Sequence, residues 1–194
     1  MSEQLIRHIQ KFVVIKEEDI PGILALFKHV NISKKENIQE AGKICRSHYF
    51  VEKGCLRMFF VNDKGIEQTT QFAIENWWIS DYAAFQNQQT AGFCIQAVEK
   101  TDAVSITLEL QEQLLHQYPQ LERYFRIIHQ RANAAAQQRI KYLYDFSREE
   151  LYHHFNNKYP EFTQRIPQYL LASFLGITPE YLSEIRKKPL LKRV

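Results

Sequence analysis

Leu171-Ala172-Ser173-Phe174-Leu175-Gly176-Ile177-Thr178-Pro179-Glu180-Tyr181-Leu182-Ser183-Glu184-Ile185 decides how this chain is read. Leu171, Ala172 and Leu175 place apolar or small side chains on one helix. Gly176 breaks that helix, because glycine enters left-handed backbone without a Cβ clash. Ile177 is expected to be buried in the turn. Thr178 offers a cap, Pro179 the first helical position and Glu180 a first-turn carboxylate. Leu182 and Ile185 then return to a core. Two helices crossing steeply need a small residue at the contact, a turn, and two apolar anchors on the second helix. An ordinary αα-hairpin is the plainer alternative.

The outward face of the second helix carries Pro179, Glu180, Ser183, Glu184 and Lys187. Lys188 follows Arg186 and Lys187, with Lys192 and Arg193 beyond. In a helix-turn-helix such a face enters the major groove. Basic residues at its far end hold phosphates, and polar ones near its start reach base edges. Gln168, Thr178, Pro179, Glu180, Ser183, Glu184, Lys187 and Lys188 are the candidate contacts to double-stranded DNA.

Upstream, Ser147-Arg148-Glu149-Glu150 is a capping box opening a helix that ends before Pro160. Another short helix is expected near Ile166-Pro167. From Pro119 a longer stripe runs through Leu121, Phe125, Ile128 and Ala132, then Ala136, Ile140 and Leu143. That is roughly 25 residues, about 37 Å of helix. A stripe so long exceeds what one small domain buries, so it reads as a dimer seam. The Ala132–Ala136 stretch would let two helices approach closely. The plainer alternative lays the helix on its own β-domain.

Residues 30–107 differ. Tyr49-Phe50-Val51, Leu56–Val61, Gln68–Phe72, Phe93–Val98 and Ala103–Ile106 are short runs rich in β-branched and aromatic residues. Asn62-Asp63-Lys64-Gly65 joins two of them as a hairpin turn. Many short strands at this spacing indicate a sandwich or barrel. Residues 20–29 read as a short amphipathic helix, and from Glu109 the pattern is helical.

The whole chain has 194 residues, 45% hydrophobic and 24% charged, the composition of a soluble globular protein. Residues 1–120 sum to −3 and residues 121–194 to +6, so any anionic partner belongs to the C-terminal part. No run is long and apolar enough to span a membrane, and the start lacks a signal core. Cys45, Cys55 and Cys94 fit neither a disulfide framework nor a metal knuckle, which suits the cytoplasm. No GxSxG, P-loop or GxGxxG is present. Only His48 is expected among the strands, too few imidazoles for a cupin metal centre, and adjacent His153 and His154 are poor co-ligands. The chain therefore reads as a non-enzyme without metal or cofactor.

A β-domain, a long helix and a helix-turn-helix, in that order, resemble the Crp/Fnr family of bacterial transcription regulators, and the short Bacteroidetes forms in particular. Tyr49-Phe50-Val51-Glu52-Lys53-Gly54 is similar to the family's strand-then-glycine motif, and Glu40-Ala41-Gly42 to the turn before it. Trp78–Phe85 aligns with the phosphate-binding cassette. The resemblance implies an α+β fold: an N-terminal double-stranded β-helix (a jelly roll of the cyclic-nucleotide-binding kind) over 1–115, a central dimerisation helix over 116–145, and a helix-turn-helix domain over 146–194 without a full wing. It also implies a homodimer in the cytoplasm, with RNA polymerase as a further partner.

Three departures qualify the implied ligand. Ser80-Asp81 stand where nucleotide binders of the family have Gly-Glu for the ribose. Ala91-Gly92 replace the Arg-Ser or Arg-Thr pair for the cyclic phosphate. Ala136-Gln137 replace the Thr-Ser of the central helix. Each lost charge-assisted hydrogen bond is worth roughly 1.5–3 kcal/mol, so cyclic AMP is not the expected effector. Arg57, Gln68, Thr70, Phe72, Ser80, Asp81 and Phe93, with Tyr124 from the long helix, are the candidate lining for another small molecule. Glu184 stands where the family places a guanine-reading Arg, and a carboxylate accepts from cytosine instead. The alternative function is a small-ligand module whose helical tail binds a protein.

Overall fold

The computed structural model describes residues 2–187. Its elements are α1 (Glu3–Gln10), α2 (Ile20–Ala25), β1 (Lys28–Ile32), β2 (Asn37–Gln39), β3 (Ser47–Lys53), β4 (Leu56–Val61), β5 (Glu67–Ala73), β6 (Trp78–Ile79), α3 (Tyr82–Asn87), β7 (Cys94–Ala97), β8 (Thr101–Thr107), α4 (Leu108–Gln117), α5 (Gln120–Asp145), α6 (Arg148–Lys158), α7 (Pro160–Arg165), α8 (Gln168–Leu175) and α9 (Pro179–Lys187). Two compact units partition these. One holds the residues up to Phe60 together with Thr70–Ala132; the other holds Val61–Thr69 and the residues from Asn133 on.

In the first unit, two four-stranded sheets run β1-β8-β3-β6 and β2-β7-β4-β5, the antiparallel sandwich expected of a jelly roll. Its interior gathers Ile32, Tyr49, Val51, Leu56, Ile79, Ile95 and Ala103. Gly54, between β3 and β4, has φ +106°, and a Cβ there would lie 2.7 Å from Lys100 O. Only glycine fits that turn. The helix read over residues 20–29 ends at Ala25, and Lys28 and His29 already belong to β1, so His48 is not the only histidine on a strand.

A second core lies on the other face of the β1-β8-β3-β6 sheet. Phe50, Trp78, Val104 and Ile106 pack there with Leu5, Ile6 and Ile9 of α1, Leu114 of α4, and Leu121, Tyr124 and Phe125 of α5. Sequence reasoning did not find α1. Its Ser2 hydroxyl caps the helix by accepting Leu5 N–H at 3.3 Å. This core corrects the reading of the long stripe. Leu121 and Phe125 are buried within their own unit and Ile128 packs against the same cluster, so they are no part of an exposed seam. From Ala132 on the stripe emerges: Ala132 and Ala136 are exposed, as are Ile140 and Leu143.

The second unit is helical apart from the Val61–Thr69 hairpin tip. Asn62 Oδ1 accepts from Lys64 N and Ile66 N, both at 3.0 Å, which fixes that turn. The capping box at Ser147 and Glu150 is present. The short α7 between Pro160 and Arg165 was not anticipated. No helix among the described residues is long and apolar enough to cross a membrane.

Candidate nucleic-acid interface and effector roll

The turn between α8 and α9 follows from its residues. Gly176 takes φ +68°, and its N–H donates to Ala172 O and Ser173 O. Ile177 N donates to Ala172 O at 3.0 Å. Ile177 is half-buried rather than buried. Thr178 Oγ1 accepts Tyr181 N at 3.2 Å, and Pro179 sits at the first helical position, so α9 starts where the residues dictate. Leu182 and Ile185 are buried at 1% exposure and anchor α9.

Thr178, Pro179, Glu180, Ser183, Glu184 and Lys187 all face solvent. Gln168 is half-buried, and its Nε2 donates to Thr163 O at 3.5 Å. Lys188, Lys192 and Arg193 lie outside the described residues. Ser173 was not singled out from sequence, yet its hydroxyl donates to Glu67 O at 2.8 Å and accepts Thr69 N at 2.9 Å, which fastens α8 to the hairpin tip.

In the roll, strand alternation sorts the candidate lining. Leu56, Met58, Ile95 and Ala97 belong to the inner cluster. Arg57 and its register partner Gln96 therefore lie on the opposite sheet face. Arg57 is buried there, its Nε and Nη2 both donating to Gln96 Oε1 at 3.0 and 2.6 Å, with its guanidinium 4.0 Å from the Phe59 ring centre. On β5, Ala73 is inner, so Gln68, Thr70 and Phe72 face away by the same parity. Thr70 Oγ1 donates to Met58 O at 3.2 Å. These four positions were assigned to the wrong face. Gln71 of β5 and Met58 of β4 share the inner face and were missed. Phe93 keeps the inner parity of Ile95 and stacks edge-on to Phe60 at 6.1 Å.

Tyr124 is a further correction. It is fully buried in the core beyond the sheet, where Trp78 Nε1 donates to its hydroxyl at 2.7 Å and His8 Nδ1 lies 2.9 Å away. Burial raises its pKa, so the phenol stays protonated. Trp78 can only donate, which directs the phenolic proton at His8.

The cassette is held by its own carboxylate. Asp81 caps α3, one oxygen accepting Ala84 N at 3.3 Å and the other Gly92 N at 2.8 Å. Ser80 Oγ donates to Ser47 O at 3.2 Å and lies 3.4 Å from the buried Cys45 Sγ. Burial pushes the Cys45 thiol up, away from the reactive thiolate. Ala84, Phe85, Cys45 and Ala91 close into a small apolar cluster at this place. An open cleft of about 570 Å³ lies beside β2, lined by Gln39, Lys43, Arg46, Ser47 and Tyr49 among others; none of these was singled out from sequence.

Residues 29–118 match the family model of the cyclic nucleotide-binding domain. No protein of curated function matches the sequence. Three solved structures resemble the chain. The regulator CLP of Xanthomonas campestris, described as c-di-GMP responsive, is 16% identical over 89% of this chain and 90% of that one, with a TM-score of 0.71. FixK2 of Bradyrhizobium japonicum is 14% identical over 83% of each, at 0.69. The catabolite activator protein of Thermus thermophilus is 18% identical over 89% and 83%, at 0.57. The chain thus shares the fold of these regulators over most of its length, and its residues 29–118 are similar to cyclic nucleotide-binding domains.

Proposed function

We propose that this chain is a cytoplasmic, homodimeric, DNA-binding transcription regulator. The observation that carries the reading is the α8–α9 pair: a glycine turn, a threonine cap and two buried anchors leave Thr178, Glu180, Ser183, Glu184 and Lys187 together on the solvent face of α9. The exposed half of α5 supports self-association through Ala132, Ala136, Ile140 and Leu143. Two such α9 helices entering successive major grooves read half-sites about 34–36 Å apart. RNA polymerase is the partner through which a bound dimer acts.

The roll takes an effector other than cyclic AMP, or none. Supporting this, Asp81 spends both oxygens on the cassette's own backbone, and Ala91 and Gly92 bring no cation. Turning the carboxylate to a ribose would break both bonds. An effector works by favouring the dimer geometry that spaces the two α9 helices for DNA.

Selection of duplexes from a random pool tests the reading, run without effector, with cyclic AMP, and with c-di-GMP because the similar CLP responds to it. A palindrome recovered without cyclic AMP is the expected result. Cyclic-AMP-dependent recovery overturns the view of Asp81. One observation favours the second reading, a tail that binds a protein: Glu180 and Glu184 put two carboxylates on the outward face of α9. Failure to enrich any duplex under all three conditions supports it.

A further inference from the structure

The last four carbonyls of a helix have no partner within it. In α8 every one is accounted for. Ala172 O and Ser173 O are taken by the turn's own N–H groups. Phe174 O accepts Arg139 Nη2 at 2.7 Å, and Leu175 O accepts Arg148 Nη1 at 3.4 Å. Arg139 comes from α5 and Arg148 from α6, all within the second unit. The Arg139 guanidinium also lies 3.7 Å from the Phe174 ring centre, while Phe155 of α6 packs on that ring at 5.4 Å.

We propose that Arg139 is a positioning residue that fixes the angle between the dimer helix and the reading head. It lies on α5 between the exposed Ala136 and Ile140, so a roll of α5 about its seam carries Arg139 with it. Its grip on α8 is a charged hydrogen bond to the negative end of that helix plus a stacked ring, two contacts with defined directions. The α9 helix follows three residues after Phe174 O's helix ends, through a turn locked by Gly176 and Thr178. Movement at Arg139 is therefore delivered to α9. Burial lowers the guanidinium to a pKa of about 10, and it remains charged at neutral pH. A lysine keeps the charge but not the planar fork or the stack.

The inference rests on the DNA-binding reading, and its test separates the two. Wild type, Arg139→Lys and Arg139→Ala, each checked for a cooperative melt, are titrated against palindromes whose half-site spacing is stepped one base pair at a time. In wild type one spacing is bound best. Arg139→Ala is expected to lose about tenfold or more at that spacing and under threefold at the others, flattening the optimum, with Arg139→Lys between. Equal loss at every spacing, or no loss, overturns the proposal. In parallel, spin labels at Gln137 and Glu180 in a Cys94→Ser background report the α5–α9 distance, with labelled chain diluted so that each dimer carries one labelled copy. The distance distribution should broaden in Arg139→Ala; an unchanged width overturns the proposal. If wild type binds no palindrome, the DNA reading falls, and the distance measurement alone decides the role of Arg139.

Discussion

The Asp81 carboxylate accepts the Gly92 backbone N–H at 2.8 Å, eleven residues along the chain, while capping α3 with its other oxygen. One side chain thereby closes the cassette on itself. Asp81→Ala removes an N-cap, worth about 0.5–2 kcal/mol, and releases the exposed Gly92 N–H to water, so the total cost stays near that range. Urea unfolding should show a lower midpoint with an unchanged slope. For wild type, cyclic AMP should leave the melting temperature unmoved, since saturation at a hundred times Kd would add about 2.7 kcal/mol. A clear upward shift would mean that the nucleotide displaces this carboxylate from its backbone partners.

Two buried histidines and a half-buried one give the fold an acid limit. Burial lowers His48 to about 3, helped by the neighbouring His129; burial lowers His8 to about 4, helped by Lys11 and Arg131; and burial lowers His129. The folded chain refuses protons that the unfolded chain binds below about pH 6.5. Stability is therefore fully present above that value and is lost as pH falls toward 4. The slope contributed by His48 is at most about 1.4 kcal/mol per pH unit. Unfolding midpoints measured at pH 8, 7, 6 and 5 should be flat over the first two and fall over the last two. A His48→Gln variant should fall less steeply between pH 6 and 5.

Tyr124 joins α1 to α5 through one hydroxyl. Tyr124→Phe keeps the ring in its core and leaves Trp78 Nε1 and His8 Nδ1 without their partner. The cost should be about 1–3 kcal/mol by thermal or urea unfolding. Because the residue belongs to the core, effector response and operator affinity measured below the melting range should not change.

Glu184 sits on the exposed face of α9 where a base edge would meet it. Duplex selection with Glu184→Arg should exchange a cytosine preference for guanine at one position per half-site. Each such bidentate contact discriminates by about 1–3 kcal/mol. An identical recovered half-site would remove Glu184 from the reading face.

The elements that the sequence made legible are those with strong local chemistry. Gly176, Thr178, Leu182 and Ile185 each obey a rule that acts within four residues, and the α8–α9 pair came out accordingly. Face assignments failed where the deciding partner is remote. Tyr124 lies three residues from Leu121 and one from Phe125, on the same helical stripe, but its hydroxyl disguised a core position as a binding one. Arg57 drew attention as a charge inside a roll, whereas alternation from Leu56 and Met58 places it on the opposite face, where its Nε and Nη2 donate to Gln96. The eight-residue α1 was overlooked, and its Leu5, Ile6 and Ile9 share one buried cluster with Leu121 and Phe125. The alternative of a helix laid on its own β-domain holds for Leu121 and Phe125, and the seam reading is left with the stripe from Ala132 on.

That division of α5 makes the dimer testable within one helix. Ile140 is 55% exposed and Leu143 38%, and neither belongs to a described buried cluster. An aspartate there meets water in the single chain but would face a second apolar stripe in a seam, where an unpaired charge is costly. Ile140→Asp with Leu143→Asp should melt within about 1 kcal/mol of wild type per chain and sediment as a single chain instead of a pair. Leu121→Ala should do the reverse. It opens a cavity in a fully buried place, costs about 2–5 kcal/mol, and leaves the folded fraction paired. Should the double aspartate remain paired in sedimentation, the exposed stripe from Ala132 to Leu143 is not the seam, and the two reading heads must be spaced by another surface.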